Sequence, residues 1–175
     1  SGFKVAYSQG FHPQAKIQQA CPLPLGFLSE DEQVDIYLND DNYSESDVQH
    51  ILIDTFQPGI QINQVFEVDL YSETITKLVT SSEYLVQLRD APNELHLQAS
   101  IEKLTNAESI IRTRRNKVYD LRPLIRTINF AVPDAITMDM VTLPSATGRP
   151  DEVIDALGIP IENALITRTK LNFDK

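Results

Sequence analysis

The order of predicted strands and helices limits the possible folds of this chain more than any other feature of its sequence. In the first half, residues 15–20, 34–38 and 60–68 have the composition and alternation of strands. Ser44 or Ser46 can cap a helix that runs to about Phe56 and ends before Pro58-Gly59. This mixture of strands and helices indicates an α+β fold.

The second half repeats the mixture with more strands. A strand is predicted at 84–88, and Asn93 caps a helix that runs through Leu104. Pro150 opens another helix that Gly158 closes. Further strands are predicted at 109–113, 117–121, 125–132, 137–143 and 165–171, with a turn at Arg115-Asn116, and 74–82 is either a helix or a connector. These elements predict a ferredoxin-like α/β sandwich with extra strands.

Two segments near the N-terminus are rich in residues that fix loop geometry. They read Ala-Tyr-Ser-Gln-Gly-Phe-His-Pro at 6–13 and Ala-Cys-Pro-Leu-Pro-Leu-Gly at 20–26. Gly10 allows a positive φ, Phe11 can anchor the loop on a core, and Pro13 favours an extended backbone at His12. A loop of this composition is expected to position polar side chains.

These segments, with 26–35, 118–125, Arg149-Pro150 and 167–171, resemble a radical-SAM-associated domain family of unknown function. Members of that family are fused to or encoded beside cobalamin-binding radical SAM proteins, and they carry a strand and a helix ahead of the first motif. The resemblance spans nearly the whole chain. It implies that residues 1–76 are a first ferredoxin-like half without its N-terminal strand and helix, and that 77–175 are a second one. The expected boundary lies near residues 70–83.

The cysteine content and hydropathy exclude some classes of protein. A single cysteine, Cys21, excludes an internal disulfide framework. It also excludes the three-cysteine iron–sulfur site of a radical SAM enzyme, so we expect this chain to be a partner of such a protein and to hold no cofactor. Because the sequence has neither a recognisable signal peptide nor an apolar run long enough for a membrane span, we expect a cytoplasmic protein.

The net charge of −10 is unevenly distributed. Residues 1–76 hold two cations and twelve carboxylates, whereas residues 77–175 hold thirteen of each. Within the balanced half, fifteen residues contain six cations and one acid, Asp120; the cations are Arg112, Arg114, Arg115, Lys117, Arg122 and Arg126. One interpretation is a phosphate or nucleic-acid contact, since Arg forks match phosphate oxygens. The other is a cationic strand face that packs against the acidic half.

Two small polar clusters are candidate sites. Tyr7, Ser8 and His12 lie in the first loop, where an imidazole and two hydroxyls can bind a substrate or, less readily, catalyse proton transfer. In the second cluster, Pro123 restrains Arg122, and Asp120 can fix or neutralise its guanidinium. If the two clusters meet, Tyr7, His12 and Arg122 form one cleft. No metal site is predicted, because the acidic run at 30–35 lacks the spacing of a calcium loop.

The sequence therefore predicts a non-catalytic substrate-recognition or partner module for a cobalamin-dependent radical SAM protein. RNA is the leading substrate class, because the arginine cluster suits phosphate and the sheets of ferredoxin-like modules bind RNA. One alternative is an enzyme in its own right that uses His12, Tyr7 and Arg122. Another is an acidic protein–protein adaptor.

Overall fold

The computed structural model describes residues 2–39, 42–55, 57–90, 92–131 and 134–174. These residues form a mixed α+β protein with two compact units. The first unit lies within Ser1–Gln18 and Val34–Thr74, and the second within Gln19–Gln33 and Ile75–Lys175. Residues 19–33 therefore lie with the C-terminal part of the chain. None of the described helices is both long and apolar enough to cross a membrane.

The helices and strands have the following bounds. The α-helices are α1 (Glu45–Thr55), α2 (Ile75–Leu78), α3 (Glu94–Thr105) and α4 (Pro150–Ala156). The strands are β1 (Ile17–Gln19), β2 (Leu28–Ser29), β3 (Val34–Ile36), β4 (Val79–Leu88), β5 (Ile111–Arg114), β6 (Lys117–Asp120), β7 (Ile125–Ala131), β8 (Ala135–Leu143), β9 (Ala146–Thr147) and β10 (Ala164–Phe173).

Helix α1 confirms the predicted helix of the first unit. Asp47 N donates to Ser44 Oγ at 3.2 Å, and Ser44 N donates to Asp47 Oδ2 at 3.0 Å, so the two residues cap the helix reciprocally. The hydrogen bonds from Ser44 lower the pKa of Asp47. The helix ends at Thr55, ahead of Pro58-Gly59.

The strand predicted at 60–68 is wrong, because the structure assigns no strand to these residues. A strand needs a hydrogen-bonded neighbour, and alternation in the sequence does not supply one. Here the backbone N–H of Glu67 donates to the carboxylate of Glu45 at 2.8 Å. The predicted strands at 15–20 and 34–38 are confirmed in shorter form as β1 and β3, which pair with each other.

The second unit contains one large sheet with the strand order β2-β10-β4-β8-β7, and β9 pairs with β8. β2 runs parallel to β10, while the other neighbours along this path are antiparallel. Without β2, β9 and the small β5–β6 sheet, the chain order is β4-α3-β7-β8-α4-β10. The first and last of these six elements are adjacent in the sheet.

Alternation along the strands directs apolar side chains to one face of this sheet, where they pack with α3 and α4. The fully buried members of this core include Val86, Leu121, Ile136, Met140, Val153 and Ile154. Asn93 caps α3 by accepting from Leu95 N at 3.0 Å. Gly158, with φ at +75°, follows α4. Both helices are where the sequence predicts them, because capping signals are local.

Two predictions for the second unit need correction. The strand predicted at 84–88 begins at Val79, so much of the segment at 74–82 is strand, and only Ile75–Leu78 is helical. Ser81 and Ser82 in this extension are fully buried, and Ser82 is hydrogen-bonded to Thr142 at 2.8 Å between the hydroxyl oxygens. Polar residues in a buried strand interrupt the apolar alternation, so the first residue of the strand cannot be identified from the sequence pattern.

Strands β5 and β6 form a hairpin whose turn is Arg115-Asn116, as predicted. Both turn residues have positive φ, at 47° and 65°. This is the left-handed pair of conformations that a two-residue hairpin turn requires. In the register, Arg114 lies opposite Lys117 and Arg112 opposite Tyr119, so these four side chains share one face of the hairpin.

Gly148 provides a test of the packing between β8, β9 and the segment that precedes β7. A Cβ at this position would lie 2.7 Å from the carbonyl oxygen of Leu124 and 2.7 Å from Met140 Cε. We expect Gly148→Ala to lower the free energy of unfolding by about 1–3 kcal/mol, the usual cost of overpacking. Gly2→Ala is the control, because its Cβ would meet no atom within 4 Å. Equal urea-unfolding midpoints for the two variants would contradict the assigned packing.

Candidate anion-binding site

Arg168, on β10, is the fully buried cation of the second unit. Its Nη1 donates to Glu32 Oε1 at 2.6 Å and to the carbonyl oxygen of Cys21 at 2.9 Å. Its Nη2 lies 3.4 Å from Tyr84 Oη and 3.5 Å from the carbonyl oxygen of Pro22. One guanidinium thus ties the sheet to the Cys21–Pro22 loop and to Glu32.

The register of the sheet explains why this arginine is buried. Arg168 lies opposite Tyr84 on the core face, two residues after the buried Ile166. The guanidinium carbon is 5.8 Å from the centroid of the Tyr84 ring, which gives a cation–π contact. An arginine at this position must find acceptors within the protein, because burial removes its water.

The electrostatics of Arg168 favour its charged form. Burial lowers its pKa, but the charge and hydrogen bond of Tyr84 and the charge of Glu32 outweigh that effect, so the net pKa lies above the ordinary value. The buried Nε of Arg168 has no hydrogen-bond partner among the described residues. An unmade hydrogen bond on a buried charged group costs about 1–3 kcal/mol or more, so this N–H offsets part of the stability that the other contacts of Arg168 provide.

A cavity of about 100 Å³ lies beside Arg168, and we call it the arginine cavity. Its lining includes Cys21, Tyr84, Arg114, Gly148, Arg149 and Arg168. The three arginines come from three different elements: β5, the segment before α4, and β10. No carboxylate lines this cavity among the described residues, so the charged groups at its wall are cations.

Arg149 is held in place by Asp151 and Phe27. Its Nε and Nη2 donate to the two carboxylate oxygens of Asp151 at 2.9 and 2.7 Å, and its guanidinium carbon is 6.0 Å from the centroid of the Phe27 ring. The hydrogen bond to Asp151 raises the pKa of Arg149. This side-on pair occupies one edge of the guanidinium, and Nη1 has no protein partner among the described residues.

Cys21 lines the arginine cavity together with Arg168, and its Sγ is 3.6 Å from Arg168 Nη2. Burial raises the pKa of the Cys21 thiol, although the charge of Arg168 acts in the opposite direction. The thiol is therefore protonated at neutral pH. A buried, protonated thiol of this kind is a poor nucleophile.

The structure separates the predicted basic cluster into members with different roles. Arg112 is paired with Asp155 at 2.9 Å and donates to the carbonyl oxygen of Glu152 at 3.3 Å, so it is bound within the unit. Arg114 is exposed and lines the arginine cavity. Arg115 and Lys117 are exposed at the turn of the hairpin.

Arg126 and Arg122 also have partners within the second unit. Arg126 is 3.7 Å from Asp139. The guanidinium of Arg122 donates to the carbonyl oxygens of Thr105 and Ile125 at 2.8–3.1 Å. It therefore satisfies the C-terminal end of α3.

The prediction that the Asp120 carboxylate pairs with the Arg122 guanidinium is wrong, because Asp120 bonds to backbone N–H groups instead. Asp120 Oδ1 accepts from the backbone N–H groups of Ile110 and Arg122, at 2.7 and 3.0 Å. Because the carboxylate is used on the backbone, the guanidinium finds its acceptors elsewhere.

Tyr7, Ser8 and His12 lie in the first unit. Ser8 N donates to the carbonyl oxygen of Gln14 at 2.8 Å, and Gln14 N donates to Ser8 Oγ at 3.0 Å, so Ser8 closes the loop at its base. Tyr7 and His12 are exposed, and Phe11 is fully exposed at the tip of the loop. Phe11 thus does not anchor the loop on a core. The shared cleft with Arg122 stays a prediction.

Arg149 and Arg168 are site residues that were not predicted from the sequence. Both lie in segments that carry the family resemblance, and Arg168 stands in an alternating strand at a position that faces the core. The signal that could have found it is this period-two register, since a charged residue on a buried face requires a partner. Glu32, its partner, is remote in sequence.

A second recess of about 380 Å³ lies on the other face of the sheet, where Glu83 and Leu85 point. Glu83 lies directly opposite Asp139, an arrangement in which like charges repel. Lys170 and Arg126 flank the pair at 4.0 and 3.7 Å. Among the described residues, no group of three His, Cys, Asp or Glu side chains is placed to hold a metal ion.

The fold and the site define a mixed α+β protein with an arginine-lined cavity in its second unit. The chain belongs to DUF2344, a family described as an uncharacterized protein conserved in bacteria, whose family model matches residues 1–150. No curated protein and no solved structure matches the chain significantly.

Arg168 and Glu32 should stabilise the second unit as a coupled pair. We expect Arg168→Met and Glu32→Gln each to lower the free energy of unfolding, by about 3 kcal/mol for Arg168→Met. Arg168→Met removes the donor of the buried Cys21 carbonyl, and Glu32→Gln leaves the buried charge of Arg168 without its carboxylate. The loss in the double variant should be smaller than the sum of the single losses by about 1–3 kcal/mol. Urea unfolding of the four proteins measures this coupling, and additive losses would contradict it.

Glu152 should make stability depend on pH. Burial raises the pKa of its carboxyl above 4.5, although Arg114 and Arg112 oppose the shift. A carboxyl with a raised folded pKa binds its proton more tightly when folded, so stability falls as pH rises through that pKa. We expect Glu152→Gln to raise the free energy of unfolding at neutral pH by roughly a few tenths of a kcal/mol, because solvent screens this partly exposed carboxyl. Below pH 4.5 the substitution should have no such effect, because the carboxyl of Glu152 is then protonated. Melting temperatures across this range test the sign.

Proposed function

We propose that this protein is a non-catalytic recognition module that binds RNA through the exposed cations of its β5–β6 hairpin. The observation that carries the proposal is the position of Arg114, which belongs to the hairpin and also lines the arginine cavity. Arg115 and Lys117 extend the same positive surface to the turn. A cationic surface that continues into a cation-lined cavity suits a ligand with phosphates.

The distribution of partners among the cations supports this surface. Arg112 and Arg122 are bound to groups of the second unit, so their charges serve the fold. Arg114, Arg115 and Lys117 are exposed and have no salt bridge among the described residues. Exposed cations are hydrated and exchange water for phosphate at little cost, whereas bound arginines would first have to release their partners.

We further propose a cobalamin-dependent radical SAM protein as the partner, in cis or in trans, in the cytoplasm. This proposal rests on the motif resemblance, and co-purification of the two proteins tests it. We also propose that the second unit is ferredoxin-like. Its element order β-α-β-β-α-β and its antiparallel strand order β10-β4-β8-β7 support that assignment.

The alternative of an independent enzyme draws less support. Cys21 is protonated, and the guanidinium of Arg122 is held by backbone carbonyls. The alternative of an acidic adaptor meets a related difficulty, because Asp31 and Glu32 accept hydrogen bonds from Leu171 N and Arg168. These acidic groups hold the second unit together and are less free to dock a partner.

The proposal predicts that charge at the turn controls RNA affinity. We expect Arg115→Asn with Lys117→Gln to weaken binding of a tRNA-like RNA and to flatten its salt dependence by roughly one unit of slope per lost phosphate contact. Asn is chosen because it tolerates the positive φ of residue 115. The measurement is fluorescence anisotropy at several salt concentrations.

A matched control separates the hairpin from net charge. Arg89→Gln with Lys103→Gln removes two exposed cations elsewhere in the second unit and should leave affinity nearly unchanged. Arg112→Gln should lower stability more than it lowers affinity, because Arg112 holds Asp155. Equal losses of affinity in the hairpin and control variants, or no binding at low salt, would refute the proposed function.

A further inference from the structure

We infer that the arginine cavity binds a single phosphate monoester at the end of its carrier molecule. The choice of an RNA end as the carrier rests on the function proposed above. Arg114, Arg149 and Arg168 provide the charge, and the loop at Cys21–Pro22 together with Gly148 provides the wall. The exposed cations of the hairpin alone would not distinguish a terminal phosphate from one inside the strand.

The cavity is small, with a volume of about 100 Å³. A phosphate inside an RNA strand carries two substituents that must both leave the cavity, whereas a terminal phosphate carries one. The volume therefore favours a chain end.

The donors are arranged for an oxyanion. Glu32 and Asp151 hold Arg168 and Arg149, yet neither carboxylate lines the cavity. The carboxylates thus hold the two guanidinium groups from outside the lining of the cavity. A site that is ordered before its ligand arrives loses less conformational entropy on binding.

Arg149 keeps a donor for the ligand. It uses Nε and Nη2 on Asp151 and retains Nη1, which has no protein acceptor among the described residues. Arg168 also lines the cavity, and it contributes its charge although its side chain is fully buried. A ligand oxygen is an acceptor that Nη1 of Arg149 lacks.

Three cations from three elements fit phosphate better than carboxylate. A carboxylate presents two oxygens in one plane, which one guanidinium fork satisfies. A phosphate monoester presents three terminal oxygens that diverge, and it carries close to two negative charges at neutral pH. Arg114, Arg149 and Arg168 approach from β5, from the segment before α4 and from β10, so a ligand with diverging oxygens meets all three.

The test compares two short RNAs that differ only at the 5′ end, one with a phosphate and one with a hydroxyl. We expect the phosphorylated RNA to bind the full chain about tenfold more tightly, because hydrogen bonds between charged groups contribute at least that factor. Inorganic phosphate should compete with the phosphorylated RNA and should not displace the hydroxyl RNA. An acetate competitor that acts equally well would identify a carboxylate site and overturn the inference.

Variants locate the effect in the cavity. Arg149→Gln should abolish the preference for the 5′-phosphate while the hydroxyl RNA still binds, and Arg149→Lys should restore it only in part, because Lys lacks the fork. Arg89→Gln, which removes an exposed cation outside the cavity, should keep the full preference. Retention of the preference in Arg149→Gln would overturn the inference even if that variant is less stable, since affinity is compared within one protein.

Equal affinity for the two RNAs would reject the cavity as a phosphate site. Binding through the hairpin would then still stand, so the two proposals can fail separately.

Discussion

The buried guanidinium of Arg168 is the interaction on which the second unit depends. It joins β10 to Cys21 and Glu32, which are 147 and 136 residues earlier in the chain, and it contacts Tyr84 in the neighbouring strand. Leu171 N adds a parallel link to Asp31 at 2.7 Å. These contacts explain how residues 19–33 belong to the C-terminal unit. Buried ion pairs add little net stability, but they penalise every arrangement in which the partners are apart.

The elements that the sequence predicts well are those with local signals. Asn93 and Gly158 mark the ends of α3 and α4, and the Arg115-Asn116 turn identifies the hairpin before any long-range contact is known. The strand predicted at 60–68 fails because pairing is a property of two segments, and nothing within one segment shows whether its partner exists. The early start of β4 is hidden for a related reason, since Ser81 and Ser82 are buried through contacts with distant residues.

Only part of the candidate site can be predicted from the sequence. The concentration of cations between residues 112 and 126 is evident from the sequence. The sequence does not show that Arg112 pairs with Asp155 whereas Arg114 lines the cavity. Arg149 and Arg168 lie outside this cluster. Their importance follows from the sheet register and from partners 2 and 136 residues away, namely Asp151 and Glu32. Local pairing at Arg149 was in principle predictable, whereas the partner of Arg168 was not.

The hydrogen-bond partners of each arginine determine whether it has donors left for a ligand. An arginine that satisfies backbone carbonyls, as Arg122 does, gives up the donors that a ligand would use. An arginine held at one edge by a carboxylate, as Arg149 is, keeps both its orientation and a free edge. The carboxylates of Glu32 and Asp151 therefore do two things at once. They offset part of the charge of Arg168 and Arg149, and the carboxylates stay outside the described lining of the cavity. Donors held in place before a ligand arrives are what the proposed phosphate site requires.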